Sequence, residues 1–137
     1  MSEELVSYQS KFLPNTIITI VFKENPNYPV LKTLFDEYGY GFYAPEMKTI
    51  IIDGERFIGD DSLSKEELDF VEAHEIAHLM LKHSGPRNEK DEIEADLLAY
   101  KMLKDKGLST QRLTDEFKYR HGVDFNEDLL SMIEGRI

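Results

Sequence analysis

The chain has 137 residues, 41% apolar and 31% charged, which reads as one globular domain over residues 1–137 rather than a disordered chain. A formal net charge of −11 repels phosphate backbones, so no direct contact with nucleic acid is expected. Cysteine is absent, which excludes disulfides and thiolate ligands and leaves His, Asp and Glu to hold any metal.

No apolar run approaches the roughly 20 residues that span a bilayer, so no membrane association is expected. The first 13 residues carry Glu3 and Glu4 and lack a basic stretch followed by an apolar one. They do not read as a signal peptide. With no cysteine to oxidise, the expected location is the cytoplasm.

Residues 2–10 could form a short first helix. Residues 15–23 (NTIITIVFK) are rich in β-branched side chains and read as a buried strand. Asn25-Pro26-Asn27 breaks it. Residues 29–38 place Val30, Leu31, Leu34 and Phe35 at helical spacing, with Pro29 suited to the first turn and Gly39 to the stop. Residues 40–44 and 48–53 read as two strands of a hairpin joined through residues 44–47. Asp53-Gly54 signals a turn, and residues 55–62 a loop. Ser64-Lys65-Glu66-Glu67 matches a capping box. The helix it opens should run to about His83 and stop at Ser84-Gly85-Pro86. Further helices fit residues 89–106, stopped at Gly107; 109–120, stopped near Gly122; and 126–134. A strand-rich first half followed by a helical second half argues α+β.

The chemistry lies in His74-Glu75-Ile76-Ala77-His78. At i and i+4 on a helix, His74 and His78 project from one face and can reach one ion. Glu75, about 100° around the axis from His74, sits beside that ion and can reach a water on it. The chain has four histidines, and this spacing arises by chance in it on the order of one time in a hundred, so the motif is informative. The bland alternative is a pair of ordinary polar residues on an amphipathic helix.

A catalytic zinc needs a third protein ligand and an open position. His83, nine residues after His74 and roughly 180° around the same helix, cannot close the site unless the helix breaks. A carboxylate of the next helix suits better. Two antiparallel helices joined near Gly85-Pro86 would bring residues 90–96 alongside both histidines. Glu92 and Asp96 share a face, so one can bind metal while the other accepts the outer N–H of a ligand imidazole. Glu94, about 200° from Glu92, would face elsewhere. An acidic first turn would also simply complement the helix dipole.

The segment His74 to His78, followed by Glu92-Ile93-Glu94-Ala95-Asp96-Leu97-Leu98-Ala99, resembles the ImmA/IrrE group of zinc peptidases. Their pattern is H-E-x-x-H, then a helix reading E-x-x-A-[ND]-x-x-A. Residues 48–53 resemble the strand that precedes the active helix in that group. The likeness covers roughly residues 40–105 and also fits the broader gluzincin pattern. It implies a minimal zincin-like fold, with a small twisted mixed sheet packed on the active-site helix and further C-terminal helices. It implies one zinc ion held by His74, His78 and Glu92, with Glu75 as general base and Asp96 as the outer partner of a zinc ligand. Family members often act as regulatory proteases of phages or other mobile elements, some cleaving a transcriptional repressor. Many carry a helix-turn-helix or a sensor domain, for which this chain has no room beyond its core.

The expected activity is zinc-dependent hydrolysis of a peptide bond in a protein or peptide partner. A zinc held there would supply polarisation of the scissile carbonyl and acidification of the attacking water, while Glu75 would take the water's proton and pass it to the leaving amine. Tyr100, Tyr119 and His121 are candidates for an extra oxyanion donor, and the free hairpin edge could hold an extended substrate. Two alternatives are a zinc-bound interaction module with little proteolytic activity and an α+β domain without metal.

Overall fold

The computed structural model describes residues 5–38, 41–57, 65–83 and 88–135. The chain is α+β, as the order of its segments implies, and forms two compact units, Met1–Ser64 and Lys65–Ile137. Among the described residues no helix is long and apolar enough to cross a membrane.

The first unit is a four-stranded mixed sheet carrying one helix. Its strands are β1 (Leu5–Gln9), β2 (Ile17–Val21), β3 (Gly41–Ala44) and β4 (Thr49–Asp53), in the order β1-β2-β4-β3. β2 lies parallel to β4, with Ile18 opposite Ile50 and Ile20 opposite Ile52. The two edge strands run antiparallel to their neighbours. β1 corrects the expected first helix within residues 2–10. Its state is set by pairing rather than local pattern, since Val6 lies opposite Ile20 and the Ser7 and Thr19 hydroxyls meet at 2.9 Å across the ladder.

The hairpin forms as expected. β3 and β4 are joined through a 3-10 turn at Pro45–Met47 and by Lys48 in the left-handed region, φ 50°. Between β2 and α1 (Tyr28–Tyr38), the Asn25 side chain accepts from the Asn27 N–H at 2.8 Å and turns the chain. α1 packs Tyr28 and Phe35 onto Val21 and Ile51, with Leu31, Phe42 and Ala44 around them. Tyr28 keeps its hydroxyl satisfied by donating to Asp53 at 2.9 Å. Asp53-Gly54 leads into a 3-10 turn, Gly54–Phe57, where a loop is expected from residue 55. The expected stop at Gly39 and residues 58–62 of that loop lie outside the described residues.

Gly41 opens β3 because nothing larger fits. A Cβ there would run into the carbonyl oxygen of Ile51, which belongs to the partner strand's backbone and cannot swing aside. Gly41→Ala should therefore destabilise the chain by about 1–3 kcal/mol, as overpacking does. Chemical denaturation reads this directly, and a variant as stable as wild type would show that β3 shifts freely.

The second unit is helical. It comprises α2 (Lys65–Met80), α3 (Glu89–Asp105), α4 (Gln111–His121) and a closing 3-10 helix, Glu127–Ile133. The expected α-helix over 126–134 is thus a tighter coil, with Leu129 N–H donating to Asn126 O at 3.1 Å. α3 starts where Asn88 accepts from the Asp91 N–H and ends before Gly107, close to expectation. α4 ends on Gly122, φ 77°. Leu113 and Phe117 bury its inner face, and Phe117 meets Phe125 ring to ring at 5.4 Å.

α2 departs most from expectation. It stops at Met80, three residues before His83. Lys82 takes a left-handed φ of 59°, its N–H donates to Leu79 O at 3.1 Å, and the His83 N–H donates back to His78 O at 3.0 Å. That pair of bonds closes the helix without a glycine. The expected stop at Ser84-Gly85-Pro86 and the capping Ser64 lie outside the described residues.

Candidate metal centre

Two helices build the site. His74 meets Asp96, His78 meets Glu92, and His83 meets Glu94, so numbers rise along α2 as they fall along α3. The helices are antiparallel, as expected. α2 is buried from Asp69 to Ala77, so His74 and Glu75 are carried into the interior by a helix with almost no solvent-facing side there.

Three donor atoms converge. The Nε2 atoms of His74 and His78 lie 3.1 Å apart, and Glu92 Oε2 lies 2.6 Å from His78 Nε2 and 3.6 Å from His74 Nε2. A tetrahedral zinc with ligands at about 2.0–2.1 Å would hold its ligand atoms roughly 3.3 Å apart. The observed separations bracket that value. Two ring nitrogens and a carboxylate oxygen aimed at one point need a proton or a cation between them. These residues form a group that could hold a metal ion.

The charges tell the same story. Burial disfavours the His74 cation, yet attraction to Asp96, their hydrogen bond and the pull of Glu92 outweigh it and raise the ring to about 10. Burial would raise the Glu92 carboxyl, but hydrogen bonds from His74 and His78 and the charge on both rings hold it well below the usual carboxylate range. Glu75 is itself buried, and burial pushes its carboxyl up. His74, His78 and Arg120 pull it down, while Glu92 adds to the rise. The base expected from the motif therefore sits within the field of this cluster, in a setting that favours holding a proton.

Asp96 stands behind His74. It is fully buried and accepts from His74 Nδ1 at 2.7 Å. Arg120 Nη1 donates to both of its oxygens, at 3.0 and 2.8 Å, and His121 Nε2 lies 2.6 Å from Oδ2. Burial alone would raise this carboxyl, but His74, the bond with His121 and Arg120 hold it well below its usual range. The guanidinium of Arg120 also stacks 5.5 Å from the Phe70 ring centre and reaches within 3.9 Å of Glu92.

Glu94 does face away from the Glu92 cluster, but inward, with Oε1 2.9 Å from His83 Nε2. His83 is not one of the three converging donors, yet the break after Met80 brings its Nδ1 to 2.9 Å from His78 Nδ1. The Tyr100 hydroxyl donates to Glu127, Tyr119 is 92% exposed, and His121 has both ring nitrogens against carboxylates.

Arg120 and His83 were not legible as site residues from motif spacing. Arg120 had a faint signal: with Leu113, Phe117 and His121 it lies on the one apolar face of α4, where a cation needs a buried anion. No family model, curated protein or solved structure matches this chain.

Proposed function

We propose that the chain is a zinc-dependent peptidase with a zincin-like fold of the ImmA/IrrE type. The observation that carries this reading is the convergence of His74 Nε2, His78 Nε2 and Glu92 Oε2 on one point, with Glu75 next in sequence to the first of them. Nitrogen and oxygen donors in this number leave a fourth tetrahedral position open, which suits a catalytic rather than a structural zinc.

The bound ion would supply Lewis-acid polarisation of the scissile carbonyl and an acidified water. The chain's own residues do the rest. Glu75 accepts the proton of the attacking water and delivers it to the leaving amine. Burial prepares it by raising its proton affinity. Asp96 fixes the His74 ring through its Nδ1–H and so keeps Nε2 free to act as a donor. The substrate would be a protein or peptide, and by the likeness a regulatory protein such as a repressor, met in the cytoplasm.

The test is metal analysis joined to peptide profiling. Purified chain should carry about one zinc, cleave members of a proteome-derived peptide library, lose all cleavage on chelation and regain it with added Zn2+. A chain that takes up no zinc on titration would overturn the reading. One that binds zinc but cuts neither the library nor any protein partner would favour an interaction module.

A further inference from the structure

His83, Asp91 and Glu94 form a second group that could hold a metal ion, immediately beside the first. His83 Nε2 lies 2.9 Å from Glu94 Oε1 and 3.5 Å from Asp91 Oδ1. The side chains of His83 and Glu94 are only 8% and 3% exposed. Two metals side by side would be the simple conclusion. Proton counting argues against it.

His78 and His83 meet through their Nδ1 atoms at 2.9 Å. Two ring nitrogens bond at that distance only when one bears hydrogen and the other does not. A metal on His78 Nε2 leaves its hydrogen on Nδ1, so His78 donates. His83 Nδ1 must then be bare, its hydrogen sits on Nε2, and Nε2–H donates to Glu94. A metal on His83 Nε2 would reverse this and set two Nδ1–H groups head to head. The two groups compete for one proton arrangement and cannot both be filled.

We infer that His83 is a positioning residue, which relays the outer N–H of His78 to the buried Glu94 carboxylate and keeps the protein a one-metal enzyme. This rests on the reading of His74, His78 and Glu92 as the metal ligands. His74 has its outer acceptor directly, in Asp96; His78 has none of its own on α3, and the ring of His83 supplies it. The early end of α2 serves this arrangement. The His83 N–H bonds His78 O while its ring bonds the His78 ring, so backbone and side chain both hold His83 to the same residue. The tautomers follow from hydrogen-bond logic, and they are directly measurable.

The full-length protein loaded with Zn2+ provides the test. Saturation should stop at one zinc per chain. Long-range proton–nitrogen NMR of the imidazoles should place hydrogen on His78 Nδ1 and on His83 Nε2. His83→Leu, which can neither accept nor donate, should weaken zinc binding by about 10–100-fold, the usual cost of losing an outer-shell partner. His83→Gln, which can do both, should recover most of that loss. A second zinc equivalent, or hydrogen on His83 Nδ1 in the zinc-loaded wild type, would overturn the inference even if no variant folds. So would a folded His83→Leu that binds zinc as tightly as wild type. Wild type that binds no zinc at all would instead bring down the metal-centre reading beneath it.

Discussion

Glu75→Gln should retain one zinc per chain and lose about 10²–10⁴-fold in peptide hydrolysis, the range that a positioned general base contributes. Gln matches Glu in size and can still hydrogen-bond, so the buried position beside His74 stays filled and the three converging donors are untouched. What disappears is the ability to take a proton. Zinc content and circular dichroism check that the site and fold survive, and single-turnover cleavage of a profiled peptide reads the loss. A variant that cleaves as fast as wild type would remove Glu75 from the mechanism. The same experiment separates the two zinc-bound readings. In a peptidase the substitution silences an activity, whereas in an interaction module it should leave partner binding unaltered, since binding has no use for a base.

The two histidines and the pair Glu92 and Asp96 were legible as candidate donors because the relevant information is local, whereas the choice of Glu92 as the third donor came from the likeness to the ImmA/IrrE group. Four residues of helix fix His74 against His78, and another four fix Glu92 against Asp96. The antiparallel run of α2 and α3 then brings the two pairs together. β2, α1 and the β3–β4 hairpin were legible for similar reasons, their apolar spacing and breakers lying within each segment. The features that escaped depend on contacts made at a distance. β1 becomes a strand by pairing with residues 17–21, and nothing within its five residues demands that. The end of α2 rests on Lys82 in a left-handed conformation that usually favours glycine, while the Ser-Gly-Pro signal further along the chain pointed to a later stop. That three-residue difference matters chemically. A helix continued to His83 would carry its ring to the far side of α2, and the shorter helix returns it to His78. Arg120 lies 24 residues beyond Asp96, and only the folded α4 places its guanidinium on that carboxylate.

Asp96→Asn should destabilise the second unit by about 3–5 kcal/mol. The carboxylate is buried completely and receives His74, Arg120 and His121 together. The amide removes its charge and turns one of its two acceptor oxygens into a donor. Arg120, whose side chain is 11% exposed, would then face a neutral group at the amide, with the Glu92 carboxylate at 3.9 Å as a weaker counter-charge. The cost follows from that poorly compensated charge more than from the lost bonds. Replacing Arg120 by Met in the same chain should restore part of the stability, giving a favourable coupling between two changes that each destabilise alone. Zinc affinity should behave differently. It should fall by about 10–100-fold in Asp96→Asn because the His74 ring loses its anchor, and the Arg120→Met change should not restore it, since no carboxylate returns to His74. Denaturant titration of the metal-free chain and zinc titration of the single and double variants measure the two quantities separately. If zinc affinity recovered in step with stability, Asp96 would be holding α4 to α3 without orienting His74, and its place in the metal centre would be structural alone.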